Sequence, residues 1–121
     1  MQIQINTDHN LSVRDSEAAE LRLIVQDALS RFEQHITRVE IHLSDENGIK
    51  HGQDDKRCLL EARLEGRKPI AVSDLAATLI LAVEGSAKKM ARSIESSLGR
   101  RRDIKRHKAA PVSGEPEVQG E

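Results

Sequence analysis

The stretch Thr37-Arg38-Val39-Glu40-Ile41-His42-Leu43 alternates strictly, with Val39, Ile41 and Leu43 on one side and Arg38, Glu40 and His42 on the other. A side-chain period of two is that of an extended strand with one face on a core and the other in water. On its N-terminal side the period changes. Leu21, Ile24, Val25, Ala28 and Phe32 recur at helical spacing, and Ser12-Val-Arg-Asp15 fits a helix N-cap with an acid at N3. The spacing predicts a helix that starts after Ser12 and runs to about Phe32. Before it, Gln2-Ile3-Gln4-Ile5-Asn6 alternates again and predicts a short first strand with Ile3 and Ile5 inward.

On the C-terminal side, the segment from Asp45 to Asp55 is polar, holds two glycines and has no period, which predicts an exposed hairpin loop with a mobile tip. Cys58, Leu60, Ala62 and Leu64 then alternate with Arg57, Leu59, Glu61, Arg63 and Glu65 as a third strand. Gly66-Arg67-Lys68 reads as a tight turn, and Ile70 and Val72 as a fourth strand. Pro69 has no N–H to donate, which places it at the start of that strand or on an edge. Leu79, Val83, Ala87, Met90, Ile94 and Leu98 form one stripe along a helix predicted from about Ala76 to at least Leu98, with Lys88, Lys89 and Arg92 opposite the stripe. Gly99 is a weak helix former. Arg100 to Arg106 either continue the helix through a weak joint or leave it as a flexible basic arm, and the sequence leaves both open.

The order is strand, helix, three strands, helix. Short connections make strands two to four antiparallel, strand one joins them after a helical crossover, and both helices can cover the one apolar sheet face. This predicts a two-layer α+β domain over residues 1–108, a βαβββα unit, with Gln2, Gln4, Arg38, Glu40, His42, Glu61 and Arg63 on the open face of its four-stranded sheet. Residues 109–121, rich in Pro, Gly and Glu, are expected to be a disordered acidic tail.

Composition narrows the function. The chain has 121 residues and a net charge of −1, yet from Ser86 to Lys108 it carries nine Lys or Arg against two acids. That segment is therefore +7 and the remainder −8, a segregation suited to a polyanionic partner. The start lacks a charged-then-apolar leader and no apolar run approaches the roughly 18 residues of a membrane helix, so a cytoplasmic protein without a membrane partner is expected. Cys58, the single cysteine, reads as a small buried hydrophobe rather than a reactive thiol.

Motifs that would make an enzyme are not found. Gly48, Gly52, Gly66, Gly85 and Gly99 are scattered and match no phosphate-binding loop. His9, His35, His42, His51 and His107 lie in different elements without ligand spacing, so no metal, cofactor or small-molecule substrate is expected. The acids Asp45, Glu46, Asp54 and Asp55 miss the calcium-loop spacing and read as a solvated acidic loop. Binding remains. Lys88, Lys89 and Arg92 alone would be ordinary helix solvation. Arg100, Arg101, Arg102, Lys105, Arg106 and Lys108 put six like charges in nine positions, which repel one another unless phosphates lie among them. With one Phe and no Tyr or Trp, stacking of single-stranded bases on the sheet is excluded. Recognition of backbone and shape in structured RNA is favoured instead.

Met1-Gln-Ile-Gln-Ile-Asn, Thr37-Arg-Val-Glu-Ile-His-Leu, Asp55-Lys-Arg-Cys-Leu-Leu-Glu-Ala-Arg-Leu-Glu-Gly66, Pro69-Ile-Ala-Val and Ala87-Lys-Lys-Met-Ala-Arg92 together resemble the ribosome hibernation-promoting factor and ribosome-associated inhibitor family, also called the sigma-54 modulation protein family, in its short form. The resemblance covers about residues 1 to 107. It implies a fold like that of double-stranded RNA-binding domains. It also implies binding in the decoding channel of the small ribosomal subunit and translational silencing in stationary phase or stress. Ribosomal RNA would be met by Lys88, Lys89 and Arg92, with first-helix basics corresponding loosely to Arg22 and Arg31. The chain departs from the family at Ser96-Ser-Leu-Gly99, where members commonly carry Lys or Arg. Either the arm of Arg100, Arg101, Arg102, Lys105 and Arg106 replaces those contacts or affinity is lower. The free protein is expected to be a monomer. The competing reading is a non-ribosomal regulator whose basic helix docks an acidic protein such as a transcription factor.

Overall fold

The computed structural model describes residues 1–9, 11–46 and 55–109, without the side chains of 100–109. The expected loop tip and the tail lie outside the described residues. The chain folds as β1 (Gln2–Thr7), α1 (Asp15–Leu29), a 3-10 turn (Ser30–His35), β2 (Ile36–Asp45), β3 (Lys56–Leu64), β4 (Ile70–Ala76) and α2 (Leu79–Ala109). The four strands form one sheet in the order β1-β2-β3-β4. β1 pairs parallel to β2, as the helical crossover requires, and β2-β3 and β3-β4 are antiparallel. The α+β class and the βαβββα order stand.

Burial follows the two periods. Val39, Ile41 and Leu43 of β2 and Cys58, Leu60, Ala62 and Leu64 of β3 face a core completed by Leu21, Val25 and Leu29 of α1 and Leu79, Ala82, Val83, Ala87, Met90 and Ile94 of α2. Leu98 packs against its edge. Each Val, Leu, Ile and Met among them contributes on the order of 1.5–3 kcal/mol by leaving water, and the alanines less. Phe32, the one residue among Phe, Tyr and Trp, is buried here, so none of these three large rings is available on the sheet for base stacking.

Four boundaries differ from the sequence reading. α1 begins at Asp15 with Arg14 at the N-cap position and no side-chain cap, so Ser12 caps nothing. The α-helix closes at Leu29, and the tighter 3-10 winding that follows carries Phe32 onto the core and delivers Ile36, also buried, to the start of β2. The ladder shifts register between Ile36 and Arg38. This irregularity lets Ile36 and Val39 both point inward although they are three residues apart. β4 continues past Val72 to Ala76, and α2 begins at Leu79 rather than Ala76 because the Thr78 hydroxyl accepts the Leu81 N–H at 3.2 Å and caps the helix. At its far end the backbone of α2 stays helical through Gly99 to Ala109, which resolves the open alternative in favour of a continuous helix.

Two contacts lock α2 onto the sheet. Ser86 is fully buried, and its hydroxyl lies within hydrogen-bond reach of the Cys58 carbonyl (3.1 Å) and the Ala82 carbonyl (2.8 Å). Asp74 occupies the inward register of β4 after Ile70 and Val72. Its carboxylate meets the helix at Gly85, where a side chain would collide with it.

Candidate nucleic-acid interface

Lys88 and Arg92 stand four residues apart on α2 and are both exposed, so they share a face of the helix. Neither forms an ion pair among the described residues. Lys89 turns the other way. Its ammonium donates to the Ser73 carbonyl at 2.8 Å and to the Asp74 carboxylate at 3.2 Å, tying α2 to β4. The three expected contacts thus divide into an outward pair and a residue held by the sheet.

On α1, Arg22 is exposed. Arg31, in the 3-10 turn, lies over the Phe32 ring at 4.6 Å and pairs with Glu95 of α2 at 3.3 Å. Its charge is balanced within the fold by a pair exposed on both sides, so it contributes little stability. Arg100, Arg101, Arg102, Lys105 and Arg106 sit on the helical extension of α2, and their side chains lie outside the described residues.

The sequence reading missed the β3-β4 turn as part of this surface. Gly66 adopts φ 70°, the left-handed conformation natural to glycine, and the reversal brings Arg67 against α2. The guanidinium Nη1 donates to the Ser97 carbonyl at 3.1 Å and the Ser97 hydroxyl at 2.9 Å. Arg67, Lys68, Arg92, Ser93, Ser96 and Ser97 consequently line one open cleft of about 550 Å³ between turn and helix. No local pattern in Gly66-Arg67-Lys68 announces a partner thirty residues away.

Elsewhere the acids are structural. Lys56 holds Asp55 at 2.9 Å and Asp45 at 3.3 Å where β2 leaves and β3 returns. The Asp55 hydrogen bond is the main cause that raises the Lys56 pKa. Asp55 itself is buried, so the solvated reading is corrected for Asp45 and Asp55, while Asp54 lies outside the described residues. On the open sheet face, Glu40 opposes Glu61 and Arg38 opposes Arg63. Along β2, Glu40 pairs with Arg38 at 3.1 Å and lies 3.2 Å from the His42 Nε2, and across to β1 Arg38 donates to Gln4, contacts that offset these like-charge pairs. Ligand atoms of Glu40, His42 and Glu61 lie within 4.8 Å of one another. This is a set able to hold a divalent cation that spacing did not reveal because Glu61 comes from another strand. Burial pushes the Cys58 thiol up to about 11, which makes it a poor nucleophile. Among the described residues no helix is long and apolar enough to cross a membrane.

Neither a protein-family model nor a curated protein matches the sequence. Solved structures do match the fold. The N-terminal domain of Protein Y from Thermus thermophilus superposes with a TM-score of 0.57 at 19% identity, covering 78% of this chain and 96% of that one. A ribosomal subunit interface protein from Coxiella burnetii superposes with a TM-score of 0.62 at 15% identity, covering 82% and 99%. The fold is shared with this domain of Protein Y and with that ribosomal subunit interface protein. This agrees with the family that the sequence resembles. Both similar structures are covered almost end to end, so the shared part is the whole βαβββα unit.

Proposed function

We propose that this chain is a cytoplasmic, non-enzymatic ribosome hibernation factor that binds ribosomal RNA of the small subunit in the decoding channel and silences translation by occluding messenger and transfer RNA. The observation that carries this reading is the outward pair Lys88 and Arg92 on α2, unpartnered by acids among the described residues, on a fold shared with Protein Y and a ribosomal subunit interface protein. Lys89, Arg22 and Arg31 would play a lesser part, since two of them are already engaged within the fold. The basic extension of Arg100, Arg101, Arg102, Lys105 and Arg106 would continue the contact along the phosphate backbone, and the acidic remainder of the molecule would discourage attachment to arbitrary RNA.

The test is co-sedimentation of the purified protein with small subunits at rising salt. Backbone contacts release counterions, so pelleting should decline steeply with ionic strength. The double reversal Lys88→Glu and Arg92→Glu should abolish it while leaving the circular dichroism spectrum intact. Absence of salt-sensitive pelleting by the wild type would favour an acidic protein partner instead.

A further inference from the structure

Between Arg92 and Arg100, α2 carries no Lys or Arg. Residues 93–99 read Ser-Ile-Glu-Ser-Ser-Leu-Gly. The β3-β4 turn lies against this gap. Arg67 spends one nitrogen on Ser97, through both its carbonyl and its hydroxyl, which fixes the plane of the guanidinium and leaves its remaining N–H groups as donors. Lys68 and Arg92 line the same cleft with the hydroxyl-bearing Ser93 and Ser96, and among the described residues no carboxylate lines it. Three cations from two elements, two of them forked arginines beside hydroxyls, suit a tetrahedral anion with several acceptor oxygens. We infer that the cleft is a subsite for one phosphodiester of an RNA backbone, in which Arg67 and Lys68 of the turn supply the positive charge that the helix lacks over residues 93–99.

The subsite rests on the RNA-binding reading and extends it beyond one helix face. Lys88 and Arg92 alone present a row of charge to which a phosphate chain can attach in many registers. A cleft with walls from a turn and a helix holds one phosphate at one place, and thereby sets the orientation of the domain on its RNA.

The experiment is a titration of the ¹⁵N-labelled full chain with inorganic phosphate, with acetate at equal ionic strength as control, and with a short RNA hairpin. Phosphate should give saturable amide shifts confined to Arg67, Lys68, Ile70 and residues 92–97, and acetate none. The pair Arg67→Ser and Lys68→Ser should weaken hairpin binding about tenfold and lower the slope of log affinity against log salt by about 1. Because losing Arg67 also removes the Ser97 contact, Ser96→Glu provides a second variant. It keeps the turn docked and sets a carboxylate in the cleft, and should weaken the hairpin by a similar factor. Phosphate shifts spread along α2, or hairpin binding by the Ser96→Glu chain equal to wild type, would overturn the subsite even if small subunits still pellet the protein. If the wild type bound neither hairpin nor subunits, the RNA reading would fail. The phosphate titration alone would then decide the cleft, with saturable shifts supporting an anion site and their absence overturning it.

Discussion

A β-carbon placed on Gly85 of α2 would stand 1.8 Å from the Oδ2 of Asp74 on β4 and 2.8 Å from its Cγ. In an open helix, Gly to Ala stabilises by roughly 1 kcal/mol. Here the sign should reverse. Asp74 is half-buried and held by Lys89, so it yields only by giving up that contact. Gly85→Ala is expected to lower stability by about 1–2 kcal/mol, seen as a drop of several degrees in melting temperature. In an Asp74→Ala background the same substitution should become neutral or favourable, a coupling that a double-mutant cycle measures directly.

Gly99 gives the contrasting case. Among the described residues nothing lies within 4 Å of a β-carbon built there, and the helix runs through it. Gly99→Ala should raise helix content over residues 95–109 and stabilise by about 0.5–1 kcal/mol. Circular dichroism and thermal melting read both quantities.

Charge reversals on α2 should separate by residue. Arg92→Glu should cut RNA affinity at least tenfold and flatten its salt dependence without altering the melting temperature. Lys89→Glu places a carboxylate against Asp74 and should lower the melting temperature. The Lys89 pair is partly exposed on both sides, so the loss should stay near 1 kcal/mol or less.

Stability should fall at alkaline pH. The folded Cys58 thiol is pushed up to about 11 from an ordinary 9.0 by burial, so above pH 9 the unfolded chain loses its proton first and unfolding gains. The contribution is complete below about pH 9 and is lost as pH rises through 11, a difference on the order of 2 kcal/mol. Lys56, raised chiefly by its hydrogen bond to Asp55, acts in the same direction. Denaturant unfolding between pH 8 and 11 should show the decline, and Cys58→Ala should leave a shallower one. Below pH 9, thiol reagents should modify Cys58 only at the rate of unfolding.

Asp55→Asn tests whether the hairpin acids are structural. Removing one of the two carboxylates around Lys56 should cost about 1 kcal/mol and leave subunit binding unchanged.

The parts of the fold legible in the sequence are those where one period repeats without interruption. The alternation from Val39 to Leu43 and from Cys58 to Leu64, and the stripe from Leu79 to Leu98, appear in the structure as inward faces of β2, β3 and α2. Where tertiary contacts override local signal, the reading stopped short. Asp74 broke the apolar pattern of β4 and hid its last residues, because its place is provided by Gly85 and Lys89 on another element. Ser12 looked like a cap, but the chain turns into α1 only at Asp15. Of the proposed binding surface, Lys88 and Arg92 were readable from helical phase. That Lys89 belongs to the sheet and Arg67 to the helix depends on packing between segments sixteen and thirty residues apart.

The bond from Lys89 to the Ser73 carbonyl has a meaning apart from RNA. β4 is a border of the sheet, and a border strand invites another chain to add itself by main-chain pairing. A lysine reaching over from the helix to one of its carbonyls sets a positive charge at this border, and charge on a border strand discourages such pairing. A preparation lacking this lysine should show aggregation on concentration, and that colloidal failure could be mistaken for a defect in ligand recognition.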